Sequence, residues 1–364
     1  MTRYLDTLGT IVLLELRQRI RSVAWVVLVS VVFVLVGIVT VLLWASLAAF
    51  GGDVTQSAGV YSSVIFFVLL IGTLVTPAIS GAAINGDREA GTLATTQVTL
   101  ASASQIVLGK LLAAWTVALT FLAASLPALL FTLIAGGVRG DTLAASLGVL
   151  VLELGVVAAI GVGLSGLITR PLFSVVTTYL VVAALSIGTL IAFTLGGLAF
   201  QSQQTQTYIG IDFSVGGEFD PDTGLPEEIV CLEPETYTNT VPRFDYVWGI
   251  LAANPYIVLA DAAPTTFDEN GFPQDLFGQF ASGVRSAQLA PDLDSVNDEC
   301  AAALAGEFDG GYPFETPEQI FERTVPSWFV GLIIHLVLAV AAVAGAIART
   351  RTPAGTLPTG SRVA

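Results

Sequence analysis

Charged residues are scarce in this chain of 364 residues: Asp, Glu, Lys and Arg together make up 12% of it, whereas 54% is hydrophobic. An ordinary soluble domain carries about 25% charged residues. The shortage excludes a soluble globular protein, and the long unbroken apolar runs exclude disorder, collagen and coiled coil. The composition therefore predicts a polytopic membrane protein.

Positive charge is the second shortage, since 14 Lys and Arg stand against 29 Asp and Glu. Residues 200–325 hold 22 of the acids and three Arg, a charge of −19, whereas the remainder has seven acids and 11 Lys and Arg, a charge of +4. Nucleic-acid binding needs a basic surface. The acidity belongs to one water-facing segment, and it argues against nucleic acid as a partner.

Residues for catalysis are also few, because the chain has one histidine and two cysteines. A single histidine excludes the His pair of zinc proteases and most Ser-His-Asp arrangements. The only Gly-Lys pair, Gly109-Lys110, has Ser104 where a nucleotide-binding loop needs its first glycine, and Leu111 where it needs Ser or Thr. We therefore predict no enzyme activity, no metal site and no cofactor in this chain.

Six stretches are apolar over the roughly 20 residues that a helix needs to cross a bilayer. They cover residues 23–50, 60–84, 111–138, 143–168, 172–200 and 325–348. The sequence thus predicts an all-α polytopic membrane protein with six transmembrane helices. Around the spans it predicts an N-terminal region 1–22, spans one to five within 23–200, a segment 201–324 and a tail 349–364.

Lys and Arg are distributed unevenly between the two ends of these spans. Ten lie before the first span, in the loops after the second and fourth spans, and after the sixth, whereas four lie on the other side. By the positive-inside rule, both termini and loop 85–110 face the cytoplasm and residues 201–324 lie outside. We expect a multi-pass protein of the plasma membrane.

Apolar residues recur at helical spacing before the first span, with Arg and Asp around the other side. They are Leu5, Leu8, Val12, Leu16 and Ile20. The pattern predicts an amphipathic helix over residues 1–22 that lies in the inner membrane interface. A plain cytoplasmic extension of the first span would show the same period.

Small residues recur at every fourth position in the fourth and fifth spans and let helix backbones approach closely in lipid. They are Gly155, Ala159 and Gly163 in one, and Gly188, Ala192 and Gly196 in the other. Such faces serve either packing inside the bundle or a subunit interface, and the pattern fits both.

Two ionisable residues, Glu153 and His335, lie within predicted spans. Ionisable side chains in a membrane usually mark a transport path, and both residues are candidates for one. The alternatives are a locally hydrogen-bonded or snorkelled carboxylate at Glu153 and a packed, hydrogen-bonded imidazole at His335.

The segment before the sixth span contains an apolar stretch, residues 247–263, that is interrupted at Asn254-Pro255. It is too short and too broken to cross a membrane, so it predicts a re-entrant or interfacial helix pair. Cys231 and Cys300 flank it, and in an oxidising exterior they predict a disulfide, with two free thiols as the alternative.

The loop between the second and third spans carries the most specific pattern. It contains Asp87, Arg88 and Glu89, then Gly91, Thr92 and Leu93, a polar run, and finally Gly109 and Lys110. This order and spacing resemble the permeases of the type-two ABC exporter family, as does the layout of an amphipathic entry helix, six spans and an outer re-entrant element. The long acidic outer segment with its two cysteines departs from that family.

The resemblance implies a permease subunit whose loop 85–110 forms a coupling helix and docks on a separate P-loop ATPase subunit, which binds ATP and Mg. It also implies a second permease copy or paralogue as a partner in the bilayer. From the residues alone, the charges of this loop also suit simple anchoring of span ends. An ATP-independent transporter or channel, and a membrane-anchored sensor or structural subunit with an acidic ectodomain, remain alternatives.

Overall fold

The computed structural model of the chain describes residues 2–49, 58–91, 101–215, 219, 224–226, 228–306 and 315–350. These residues include six helices that are long and apolar enough to cross a membrane, which confirms the predicted all-α polytopic fold. The elements up to the fifth span are α1 Thr2–Ile20, α2 Val23–Ala49, α3 Ala58–Ser80, α4 Asn85–Glu89, α5 Ala103–Ala135, α6 Gly140–Leu167 and α7 Pro171–Ala199.

The local sequence explains where several of these helices begin. A capping box precedes α5: the Ser102 hydroxyl accepts from the Gln105 backbone N–H, and the Gln105 side chain accepts from the Ser102 N–H. Pro171 is the first residue of α7, where a backbone N–H would have no partner in the helix. Within α7, Ala184–Gly188 form a π-helical turn, which changes the regular backbone hydrogen bonding at that point.

Residues 201–327, called the insert below, connect α7 to the last span. Its elements are β1 Gln201–Ile209, β2 Glu235–Pro242, α8 Trp248–Ala252, α9 Pro255–Ala262, α10 Leu276–Ser286, β3 Asp294–Asp298, α11 Glu299–Leu304 and α12 Pro317–Arg323; the last span is α13 Trp328–Thr350.

The insert contains a three-stranded sheet that the sequence did not predict. Strand β1 is central, antiparallel to β2 and parallel to β3. Cys231 and Cys300 form a disulfide beside the sheet, with their Cα atoms 5.5 Å apart, which confirms the predicted bond. Cys300 is completely buried with Ile211 and Leu225 in a small apolar core. The disulfide therefore fastens the loop before β2 to the beginning of α11.

The bundle has two distinct ends. Helices α1 and α4 and the beginning of α5 lie at one, called the α1 end, and the insert lies at the other, called the insert end. At the insert end, the Leu276 N–H donates to the Ser62 hydroxyl of α3 over 3.0 Å. The Thr142 hydroxyl of α6 donates to the Pro264 carbonyl over 3.2 Å. The insert is therefore hydrogen-bonded directly to two spans.

Helices α3 and α6 form the centre of the bundle. In each of them 67% of the residues in the apolar membrane-spanning stretch are buried, compared with 17% in α2 and in α7. Tyr61, Ile65 and Leu69 of α3 pack in the main apolar core with Leu150 and Leu154 of α6. Many aliphatic side chains of α2 and α7 are exposed instead, and they form the surface that contacts the lipid bilayer.

The small residues of α6 pack inside the bundle. A Cβ atom at Gly163 would lie 2.6 Å from the backbone carbonyl carbon of Ala342 in α13, and one at Gly166 would lie 2.5 Å from the Cβ of Ala346. Helices α6 and α13 therefore approach each other closely enough that larger side chains do not fit. Of the two readings of the α6 pattern, this arrangement favours internal packing.

Candidate functional site

At the α1 end, three segments meet at one buried cation. The Lys110 ammonium of α5 lies 2.5 Å from a carboxylate oxygen of Glu15 in α1 and 2.5 Å from one of Asp87 in α4. Lys110 is only 4% exposed. A buried ammonium is stable when carboxylates surround it, and here two carboxylates from different helices do so. We call Glu15, Asp87 and Lys110 the Lys110 cluster.

The residues around the cluster keep α1 close to α5. A Cβ atom at Gly109 would lie 2.6 Å from the Cγ2 atom of Ile11, so glycine is needed where the two helices cross. The Gln105 amide donates to the Tyr4 carbonyl over 3.1 Å, and the Tyr4 hydroxyl donates to Ser104 over 3.3 Å. The predicted residues Gly109 and Lys110 thus hold α1 against the beginning of α5.

The other predicted residues of this loop lie beside the cluster. Arg88 is half-buried, Glu89 is exposed, and within the described part of the chain neither forms an ion pair. Gly91 ends the segment with a φ of 71°, a conformation that favours glycine. Thr92 and Leu93 lie outside the described residues. The structure therefore joins Asp87 to Lys110 and leaves Arg88 and Glu89 at the surface of the same element.

Inside the bundle, Glu153 of α6 and His335 of α13 form a pair. The His335 Nδ1 atom lies 2.9 Å from a Glu153 carboxyl oxygen, and both side chains are 1% exposed. The other ring nitrogen, Nε2, lies 2.8 Å from the carbonyl oxygen of Ala253. Glu153 and His335, predicted separately, thus belong to one site, which we call the Glu153–His335 dyad.

Ala253 lies in the interruption between α8 and α9, and Asn254 follows it; we call these two residues the α8–α9 turn. The Asn254 side chain caps α9 by accepting from the Tyr256 N–H over 2.9 Å. Its amide donates to the Ser186 carbonyl over 2.6 Å and to the Thr189 hydroxyl over 2.9 Å. The π-helical turn of α7 therefore provides an acceptor that holds the α8–α9 turn.

The α8–α9 turn also lies directly against α13. A Cβ atom at Gly331, one helical turn before His335, would collide with the Ala252 carbonyl oxygen and with Val258. Glycine at this position allows the approach that brings His335 within hydrogen-bonding distance of Ala253. The turn is thereby held by α6 and α13 on one side and by α7 on the other.

A cavity of about 560 Å³ opens beside this turn, between α3, α7, α9 and α10. Its wall includes Phe66, Leu70, Ile187, Leu190, Ile257 and Phe280. Polar groups on the wall are few: Thr73 and Tyr256 share a hydrogen bond of 3.3 Å, and Asn254 is held by α7. A mostly apolar cavity with a few fixed polar groups is typical of a small-molecule site.

A buried ion pair that the sequence did not predict fastens the insert to α13. Asp261 of α9 lies 2.7 Å from Arg285 of α10, and their side chains are 0% and 7% exposed. Asp261 also accepts from the hydroxyl and backbone N–H of Ser327 and from the Trp328 N–H, at the beginning of α13. The sequence predicts water-facing acids in the insert, and Asp261 departs from that prediction because it lies within the apolar stretch 247–263 and is buried.

Among the described residues, no three His, Cys, Asp or Glu side chains lie close enough together to hold a metal ion. No protein-family model matches the chain, and a search of the curated proteins finds no match to it either.

Proposed function

We propose that this chain is the permease subunit of an ATP-driven exporter of the type-two ABC kind. In this proposal the α1 end faces the cytoplasm, and a separate P-loop ATPase subunit, which binds ATP and Mg, docks there. A second copy of the chain, or a paralogue, completes the transporter in the plasma membrane. The insert lies outside the cell, and this chain itself hydrolyses nothing.

The observation that carries the proposal is the Lys110 cluster. A docking element must transmit force, so it has to be fixed to the spans that move. Lys110 joins α1, α4 and α5 through two ion pairs, and α4 bears Arg88 and Glu89 at its surface. Charged side chains on a rigid element suit a specific contact with a soluble partner.

The cavity supports transport rather than a purely structural role. Its apolar wall between α3 and α7 suits an apolar or amphipathic cargo, because polar groups on such a cargo would find few partners there. The α8–α9 turn forms part of this wall through Asn254. A displacement of the turn would therefore change the space available to a cargo.

The test is to purify the full-length chain from native membranes in mild detergent and to identify the proteins that accompany it. We expect a P-loop ATPase without spans of its own, in stoichiometric amount, and ATP-dependent uptake of an apolar dye into inside-out vesicles. Recovery of the chain without any ATPase, together with uptake that persists after ATP depletion, would contradict the proposal.

A proton-linked transporter without an ATPase is the second candidate. The Glu153–His335 dyad favours it, because ionisable pairs buried among spans commonly serve in proton transfer. Dissipation of the proton gradient distinguishes the two candidates: it would abolish uptake by the second and leave ATP-dependent uptake by the first intact.

A further inference from the structure

The hydrogen bonds of the dyad determine how many protons it holds. The Ala253 carbonyl only accepts, so the His335 Nε2 atom must carry a hydrogen and donate it. The Nδ1 atom faces a Glu153 oxygen at 2.9 Å, and one proton must lie between them, on either the nitrogen or the oxygen. Neutral imidazole with a protonated carboxyl, and imidazolium with carboxylate, have the same proton count.

Removal of one proton to bulk water makes this arrangement impossible. A carboxylate and a neutral imidazole then share a single ring hydrogen. If the hydrogen lies on Nδ1, it pairs with the Glu153 carboxylate, and the Nε2 lone pair faces the Ala253 carbonyl oxygen. If it stays on Nε2, a lone pair faces a carboxylate 2.9 Å away. The charge-assisted bond to Glu153 is the stronger one, so the bond to Ala253 is lost.

We propose that the Glu153–His335 dyad is a proton-operated latch on the α8–α9 turn. With the proton bound, the turn is held against α13; without it, two acceptors face each other and the turn moves away. Gly331 has no side chain that could hold the turn in place once the hydrogen bond to His335 is lost. The inference rests on the geometry of the dyad and is independent of whether an ATPase drives the protein.

In the part of the chain that the structure describes, no other ionisable side chain is hydrogen-bonded to the dyad. Among the described residues packed around α13, Asp261 of α9 is paired with Arg285, and Tyr256 of α9 bonds to Thr73. Lys110 of α5 belongs to the Lys110 cluster at the α1 end. Asp141 of α6 is paired with Arg139 at the surface of the insert end. Helix α8 has no Asp, Glu, His, Lys or Arg.

The latch acts on the cavity through neighbouring residues. Asn254 follows Ala253 directly and Tyr256 lies two residues further on, and both line the cavity. Movement of Ala253 away from His335 therefore displaces two of its few polar wall groups. Proton loss from the dyad would therefore change the affinity of the cavity for a ligand, although neither Glu153 nor His335 lines the cavity.

The test measures the position of the turn against pH in the full-length protein in nanodiscs. Spin labels are attached to Gly249→Cys in α8, where a side chain meets nothing within 4 Å, and to Val340→Cys on the exposed surface of α13. The native cysteines are both in the disulfide and do not react. A second pair, Gly148→Cys with Val340→Cys, joins α6 to α13 and serves as the reference.

We expect the Gly249–Val340 distance distribution to gain a second, displaced population as the pH is raised. The ratio of the two populations should change by at most about tenfold per pH unit, the slope of one proton. The reference pair should not change. Glu153→Gln should hold the undisplaced distance at every pH, since its amide donates to Nδ1 while Nε2–H still donates to Ala253.

If the Gly249–Val340 distance in the protein with the unsubstituted dyad stays constant over the whole pH range in which the protein is folded, the proposal is overturned. So would a Glu153→Gln protein that responds to pH as the unsubstituted one does. His335→Leu should show the displaced population at all pH values. If it fails to fold, Glu153→Gln alone decides, because it keeps every hydrogen bond of the dyad and removes only the exchangeable proton.

Discussion

His335 and Glu153 are 182 positions apart in the chain and share a hydrogen bond of 2.9 Å inside the bundle. The bond joins α13 to α6, and the second ring nitrogen of His335 joins both to the turn between α8 and α9. Three segments distant in sequence therefore meet at one imidazole. At the α1 end, Lys110 joins three other segments in the same manner.

The first prediction concerns the Lys110 cluster. Lys110→Met should destabilise the protein by about 1–3 kcal/mol, because it removes the cation between two carboxylates and Arg19, 4.0 Å from Glu15, replaces it only in part. The value is below the roughly 3–5 kcal/mol expected for a fully buried pair, since the Asp87 side chain is 38% exposed and partly screened by solvent. Thermal unfolding followed by tryptophan fluorescence measures the loss.

The matched control for Lys110 is Arg139→Met, which also removes a cation bound to a carboxylate. Arg139 and Asp141 are 60% and 46% exposed, so this pair contributes little and its loss should not be measurable in the same assay. Equal effects of the two substitutions would show that the Lys110 cluster does not hold α1 to α5.

The second prediction concerns the contact between α6 and α13. Gly163→Ala should destabilise the bundle by about 1–3 kcal/mol, because the added methyl group lies 2.6 Å from the Ala342 backbone and the helices must separate. Gly148→Ala on the same helix meets nothing within 4 Å and should be neutral or slightly stabilising. Denaturation midpoints of the two variants give the comparison; a neutral Gly163→Ala would contradict the close packing.

The third prediction concerns how the stability of the insert depends on pH. The Arg243 guanidinium donates to both Asp245 oxygens, over 2.8 and 2.6 Å, and this pairing holds the pKa of Asp245 below its ordinary value. Because the pKa of Asp245 is lower in the folded protein, the unfolded chain binds more protons than the folded protein does as the pH falls. The stabilisation is therefore present above the unfolded pKa of about 3.9, and it is lost as the pH falls through the lower folded pKa.

Asp245→Asn should accordingly be less stable than the unsubstituted protein at neutral pH and should lose less stability in acid. Limited proteolysis of the insert across this acid range measures the difference. The control is Asp294→Asn at an exposed carboxyl, which should follow the unsubstituted protein throughout. If both substitutions flatten the pH profile equally, the pair with Arg243 is not its cause.

The spans could be predicted from the sequence because each is a long apolar window, which length and hydropathy alone reveal. The sheet could not: β1 is composed of Gln, Thr, Ser, Tyr and a single Ile, without the alternation of apolar residues that marks a half-buried strand. It forms because β2 and β3 supply its hydrogen bonds. The pairing of these strands depends on the chain topology of the whole insert, which a local sequence pattern does not show.

The candidate site was predicted as separate residues rather than as a site. Glu153, His335 and Asn254 each stood out as polar groups in apolar stretches, whereas their contacts depend on which helices pack together. Gly331 and the π-helical turn of α7 gave no signal, because a glycine or a serine within a span is ordinary. Only the packed structure reveals that Gly331 lets α13 approach the α8–α9 turn and that the π-helical turn binds the Asn254 side chain.

The fourth prediction concerns orientation in the membrane. Glu89 and Gly140 are both exposed and lie at opposite ends of the bundle. On intact cells, a maleimide that cannot cross the membrane should label Gly140→Cys and should label Glu89→Cys only after permeabilisation. The unsubstituted chain provides the blank, since neither of its cysteines is free. Labelling of Glu89→Cys from outside would reverse the orientation and remove the proposed docking site.

The last prediction tests ATPase docking at Arg88 and Glu89. Reversal of both charges, Arg88→Glu with Glu89→Arg, should abolish the stimulation of the partner ATPase by cargo in reconstituted membranes. A charged contact that is buried on docking commonly costs about 2–5 kcal/mol to break. Because neither side chain forms an ion pair within the described residues, the permease itself should stay folded.

The matched control reverses the pair at the other end, Arg139→Glu with Asp141→Arg. This change has the same size and preserves the net charge, and it lies at the insert end, where no ATPase docks in the proposal. It should leave stimulation intact. Normal stimulation in the Arg88 and Glu89 variant would show that docking occurs elsewhere. Asp87, the remaining charge of α4, is already paired with Lys110, so the ATPase would then have to bind another element of the α1 end.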